Sequence, residues 1–202
     1  MYTIPSMHQV VSWFSWGHDA GAVAAVSGIM AVVVILVPVI AGLALYVVER
    51  VQLKVLGLIN DNFAYFFVNF ITFPGTFIHE SSHLIFAVVT GAEVTEVCMF
   101  ENKEGRLGHI GYRPRGPFPI RMVQHALIAV APTVVGFVGG YFLLQYTLKE
   151  PHEWWGYVGL WYLFVSLVDH STMSDADLKN YFHGVWIFIP PLFGIFFACG
   201  MI

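Results

Sequence analysis

The sequence predicts an all-α polytopic membrane protein of about five transmembrane helices, with one small β-hairpin between the second and third spans. Three observations predict it. The 202 residues are 57% hydrophobic and only 11% charged, with a mean hydropathy of +0.71, too little charge for a water-soluble domain of this size. The apolar residues gather into five runs, 22–48, 63–89, 120–146, 151–168 and 185–202, each near the roughly 20 residues a helix needs to cross the hydrocarbon core. Between the second and third runs the pattern changes to strand-like alternation around a turn. Residues 1–202 read as a single transmembrane domain whose solvent is the lipid bilayer.

Taken in order, segment 1–21 carries Trp13, Phe14 and Trp16 but no Lys or Arg. It lacks the basic start of a cleaved signal peptide and reads as an interfacial segment with an aromatic anchor. The first span contains Pro38, a structural feature. In the second span Pro74-Gly75 stands one turn before His79 and is expected to kink the helix or split it in two. The connection 91–119 is too long for a simple turn. Val94, Val97 and Met99, then Leu107, Ile110 and Tyr112, flank Asn102-Lys103-Glu104-Gly105, which gives a β-hairpin at the membrane edge. The third span carries Gly136 and Gly140 in G-x-x-x-G spacing, with Gly139 between them, so that another helix can approach closely. Between the fourth and fifth spans, the polar stretch from Asp169 to Asp177 leads into a short helix over 175–183.

Charge sets orientation and limits partners. The formal net charge of -4 is spread thinly with no basic patch, which argues against nucleic acid. A cytoplasmic N-terminus puts Lys103, Arg106, Arg113, Arg115, Arg121 and Lys179 inside and Arg50, Lys54 and Lys149 outside, as the positive-inside rule favours. Cys98 and Cys199 suggest neither a disulfide framework nor a C-x-x-C metal site.

The chemistry concentrates in His79-Glu80-Ser81-Ser82-His83. Ionisable groups in hydrocarbon are costly, about 2.5 to 3.5 kcal/mol for a charged one on insertion scales, so their default reading is functional. On a helix the spacing of four puts both imidazoles on one face, the H-E-x-x-H arrangement in which two histidines bind one zinc ion and Glu80 is the general base. A catalytic zinc site takes three protein ligands and a water. The third is expected from the stretch between the fourth and fifth spans, with Asp177 first and Asp175 second, and with His170 and His125 as further candidates. Asp177 has a competing role, since Ser174-Asp175-Ala176-Asp177 is also a capping box. His109 in the hairpin is a weaker candidate. His8, His18, His152 and His183 lie near predicted helix ends and read as interfacial.

The run Phe77-Ile78-His79-Glu80-Ser81-Ser82-His83-Leu84, followed by a hairpin-like segment and then Ala131-Pro132-Thr133-Val134-Val135-Gly136, resembles the site-2 protease class of intramembrane zinc metalloproteases. The Ser- and Asp-rich stretch Ser171 to Leu178 is similar to its small prokaryotic M50-like branch. The resemblance covers roughly residues 63–184. It implies Zn2+ held by His79, His83 and one of Asp175 or Asp177, with Glu80 serving the attacking water, in a prokaryotic cell membrane. The Leu-Asp-Gly pattern usual around the third ligand is absent. The implied substrate is a membrane-embedded protein or peptide, with the hairpin edge pairing an unwound strand of it; a homo-oligomer or a larger membrane complex stays open. A reading from another class has the same histidines bind metal or haem without proteolysis, with His125 facing His79 or His83, or makes the chain an inactive scaffold.

Overall fold

The computed structural model describes residues 20–103 and 106–201. Helix α1 is Ala20–Gly57, α2 Asp61–Phe66 and α3 Phe73–Thr90; strands β1 and β2 are Glu93–Lys103 and Arg106–Arg113; helices α4, α5, α6 and α7 are Phe118–Lys149, Trp154–Asp169, Asp175–Gly184 and Ile189–Met201. The aromatic anchor, His8 and His18 lie outside the described residues, as do Glu104 and Gly105 of the hairpin turn.

Among the described residues, three helices are long and apolar enough to cross a membrane: Ala20–Gly57, Phe118–Lys149 and Asp175–Gly200. The protein is therefore membrane-like in build, with fewer such helices than the five apolar runs suggest. Two runs fall short for different reasons. The run at 63–89 is divided into α2, a π-helical turn at Phe67–Ile71 and α3, so that no single long helix forms. The run at 151–168 yields α5, whose 16 residues rise about 24 Å, less than the hydrocarbon thickness.

The chain packs as two compact units, one being Pro38–Gly184 and the other combining the two end segments. In the end-segment unit Val23 and Val26 are buried against Ala22, Met30 and Phe197. The larger unit carries the hairpin and the histidine motif. There α3 packs on α4, α5 and both strands, and α4 packs on α5 and α6.

Proline and glycine explain much of this packing. Pro74 sits in the first turn of α3, where a missing N–H costs nothing because first-turn donors have no helical partner. The split expected at Pro74-Gly75 occurs just before it, at Thr72. The buried backbone there is bonded by α5: Ser166 Oγ donates to Thr72 O at 2.7 Å and accepts from Gly75 N at 2.8 Å. A Cβ on Gly75 would collide with Ser166 O, so glycine allows this approach. Gly136 plays the same part farther along, since a Cβ there would land on Ser171 Oγ. The strands pair antiparallel, with Glu93 opposite Arg113, Val97 opposite Ile110 and Cys98 opposite His109.

Candidate metal centre

His79 and His83 stand one turn apart on α3, with ring centroids 4.9 Å apart and planes at 77°. Each ring is fixed by a carbonyl. His79 Nδ1 lies 2.6 Å from His170 O, and His83 Nδ1 lies 2.8 Å from Ile128 O. A carbonyl only accepts, so both Nδ1 atoms carry the proton and donate it, which leaves each Nε2 with a bare lone pair.

Both carbonyls are ones their helices cannot use. His170 is the C-cap of α5, where carbonyls have no partner farther along the helix. Ile128 lies four residues before Pro132, which is inside α4 and has no N–H to bond back to it. The proline therefore frees the acceptor that orients His83.

The two Nε2 atoms face each other at 3.2 Å. Asp177, in the first turn of α6, brings Oδ1 to 3.5 Å from His83 Nε2. The three ligand atoms all lie within 4.8 Å of one another, and His83 and Asp177 are only 7% and 8% exposed. Three lone-pair donors converging away from water repel one another unless a cation lies between them. Two imidazoles and a carboxylate are a donor set that zinc takes, and an Nε2 separation of 3.2 Å is close to the ~3.3 Å edge of a tetrahedral site with 2.0–2.1 Å bonds. The residues fit a divalent metal, with each ring held by the carbonyl partner typical of a metal-bound histidine.

Ligand and cap are both open to Asp177, because a carboxylate has two oxygens. Oδ2 accepts from Ser174 Oγ at 2.6 Å and from Ser174 N at 3.1 Å, while Asp177 N donates back to Ser174 Oγ at 3.2 Å. Oδ1 is left to the histidines.

The other candidates lie elsewhere. Asp175 is exposed at the start of α6 and is not one of the three clustered residues. His170 acts through its carbonyl, its ring Nδ1 lying 3.1 Å from Ser166 O. The His125 ring lies edge-on against that of His183. His109 pairs with Glu96 across 3.1 Å.

The hairpin adds groups that the sequence does not single out. Gly108 of β2, at φ 99°, passes so close to α3 that a Cβ would sit 3.1 Å from Glu80 Cγ. Four residues on, Tyr112 Oη accepts from Asn180 Nδ2 at 3.1 Å, and Asn180 is one turn beyond Asp177 on α6. Burial and then the Asp177 charge push the Tyr112 phenol up to about 12, so it stays protonated at physiological pH. β2 thus runs from Glu80 toward Asp177. Its base is clamped by the buried Gln124, which accepts from Arg115 N at 2.8 Å and donates to Thr90 O at 2.9 Å. Compared with known family models, characterised sequences and solved structures, the chain matches none.

Proposed function

We propose that this protein is an intramembrane zinc metalloprotease, similar in plan to the site-2 protease class, that hydrolyses peptide bonds of membrane-embedded proteins. The observation that carries the reading is the convergence of His79 Nε2, His83 Nε2 and Asp177 Oδ1 on the helix that also bears Glu80. Zinc, when bound, would polarise the scissile carbonyl and bring the pKa of water toward about 7. Glu80 takes the proton of the attacking water and delivers it to the leaving amine, general acid–base work typically contributing 10²- to 10⁴-fold. The carbonyls of His170 and Ile128 keep both rings in the ligand tautomer, and Ser174 holds Asp177. A peptide bond within a substrate helix is shielded by its own hydrogen bonds, so the substrate unwinds locally and pairs with the hairpin edge.

In the bilayer, we place the shorter segments 61–90 and 154–169 within the membrane beside the three long helices, giving about five spans with a cytoplasmic N-terminus, in a prokaryotic cell membrane. Exposed apolar side chains on both segments, among them Phe77, Ile85, Val88, Trp155, Val158 and Leu163, support a lipid surround. The experiment compares wild type with Glu80→Gln for zinc content and for cleavage of a reconstituted membrane substrate. The expected outcome is about one zinc per chain in both and cleavage in wild type alone. Full cleavage by Glu80→Gln would sink the mechanism, and a zinc-free, well-folded wild type would sink the metal centre.

A further inference from the structure

Strand β2 brings a phenol to the helix that carries Asp177. Side chains alternate between the two faces of a strand. His109 pairs with Glu96 at 3.1 Å, and a Cβ on Gly111 would come within 3.1 Å of Glu96 Cβ, so these two share one face and Tyr112 stands on the other. From there its side chain reaches α6, where Tyr112 Oη accepts from Asn180 Nδ2 at 3.1 Å. Asn180 is three residues past Asp177 and on the same side of the helix. Four residues before Tyr112 the strand lies against α3, since a Cβ on Gly108 would sit 3.1 Å from Glu80 Cγ. This stretch of β2, about 13 Å long at 3.3 Å per residue, therefore runs from the general base of the proposed reaction to the Asp177 side of the ligand cluster.

The bond from Asn180 decides what the phenol can do. A tyrosine hydroxyl both accepts and donates. Asn180 uses it as an acceptor, and its own proton has no acceptor among the described residues. The Asp177 carboxylate is engaged elsewhere, with Oδ2 on Ser174 Oγ and N and Oδ1 3.5 Å from His83 Nε2. Burial and then the Asp177 charge hold the phenol in its protonated form. Tyr112 is half-buried, within reach of a bound peptide and partly shielded from water. It is a fixed donor beside three ligand atoms.

We infer that Tyr112 is a catalytic residue that donates a hydrogen bond to the carbonyl oxygen of the scissile peptide bond, with Asn180 as its positioning residue. This rests on the protease reading above. When water adds to the carbonyl carbon, a C–O bond forms, the C=O π pair moves onto the carbonyl oxygen, and Glu80 takes the proton that the water loses. The oxygen now carries negative charge, and an O–H aimed at it stabilises this state more than it stabilises the neutral amide. On collapse the pair returns, the C–N bond breaks and Glu80 gives its proton to the amine. Tyr112 keeps its proton throughout.

The test uses the detergent-purified, zinc-loaded full chain and two probes. One is a phosphinic peptide with leucine on each side of the phosphinate, which carries the tetrahedral charge; the other is the amide peptide of the same side chains, measured in the Glu80→Gln background so that it is not turned over. Tyr112→Phe keeps the ring and removes the hydroxyl. It should retain about one zinc per chain, lose about 10²-fold in affinity for the phosphinic peptide and stay within about threefold of its parent for the amide. Its kcat on a reconstituted membrane substrate should fall about 10²- to 10³-fold with KM steady. Asn180→Ala should lower kcat by a smaller factor, again with KM steady. Wild-type binding and cleavage by Tyr112→Phe would overturn the inference and leave the protease reading standing. Equal weakening toward phosphinate and amide would also overturn it and make Tyr112 a strut between hairpin and α6. A wild type that holds zinc but neither cleaves nor binds the phosphinic peptide would overturn the protease reading and this inference with it.

Discussion

His79–His83 and His125–His183 have the same ring geometry, 4.9 Å between centroids and 77° between planes, yet their surroundings differ. The first pair is surrounded by acceptors: two carbonyls at Nδ1 and the Asp177 carboxylate beside Nε2. Its Nε2 lone pairs converge, as a cation between them would require. The second pair has Arg121 and Lys179 one turn away and one buried nitrogen, His125 Nδ1, with no hydrogen-bond partner among the described residues. Imidazole geometry alone therefore does not define a metal site; the groups that fix the tautomer do.

The sharpest way to break this contrast is to remove one ring from each pair. We expect His83→Ala to lose its zinc completely and His183→Ala to keep about one zinc per chain, measured by elemental analysis of purified protein. Zinc lost equally from both would mean that the two pairs share one site. A smaller effect separates the aspartates. Asp177→Ala should weaken zinc binding more than about a hundredfold, beyond what loss of an outer partner causes, and Asp175→Ala should leave it unchanged in a chelator competition; equal retention in both would remove Asp177 from the ligand set. The smallest effect tests the freed carbonyl. Pro132→Ala restores an N–H that competes for Ile128 O, so zinc affinity should fall by up to about tenfold while the melting temperature holds or rises, since proline inside a helix costs about 3 kcal/mol. A fall in both would point to lost packing around Pro132 and not to the carbonyl.

Much of this site is legible in the sequence because its parts are local. The i, i+4 histidines need only a helix to meet, and the alternation from Val94 to Tyr112 needs only a turn. Asp177 is legible as a candidate, but motif grammar sets ligand against cap, and only the positions of the two carboxylate oxygens show that one residue can serve both. The carbonyls of Ile128 and His170 have no side-chain signature, although Pro132 four residues after Ile128 is a clue that such patterns offer. The Tyr112–Asn180 contact joins residues 68 positions apart, and nothing local announces it. The number of long helices differs from the number of apolar runs for a related reason: hydropathy registers apolar content at 63–89 but not the π-turn and the break at Thr72.

One consequence of the divided carboxylate of Asp177 concerns metal exchange. Because Oδ2 is bonded to Ser174, the first turn of α6 is closed by groups of the chain itself. Two-state metallo-domains fold only as the ion arrives, and part of their binding energy goes into ordering the chain. Here the Asp177 carboxylate is set by hydrogen bonds to Ser174, and both rings are set by carbonyls. A centre built in this way would act as a template, and a divalent ion would meet a rigid receptor whose on-rate is governed by access and dehydration and not by refolding.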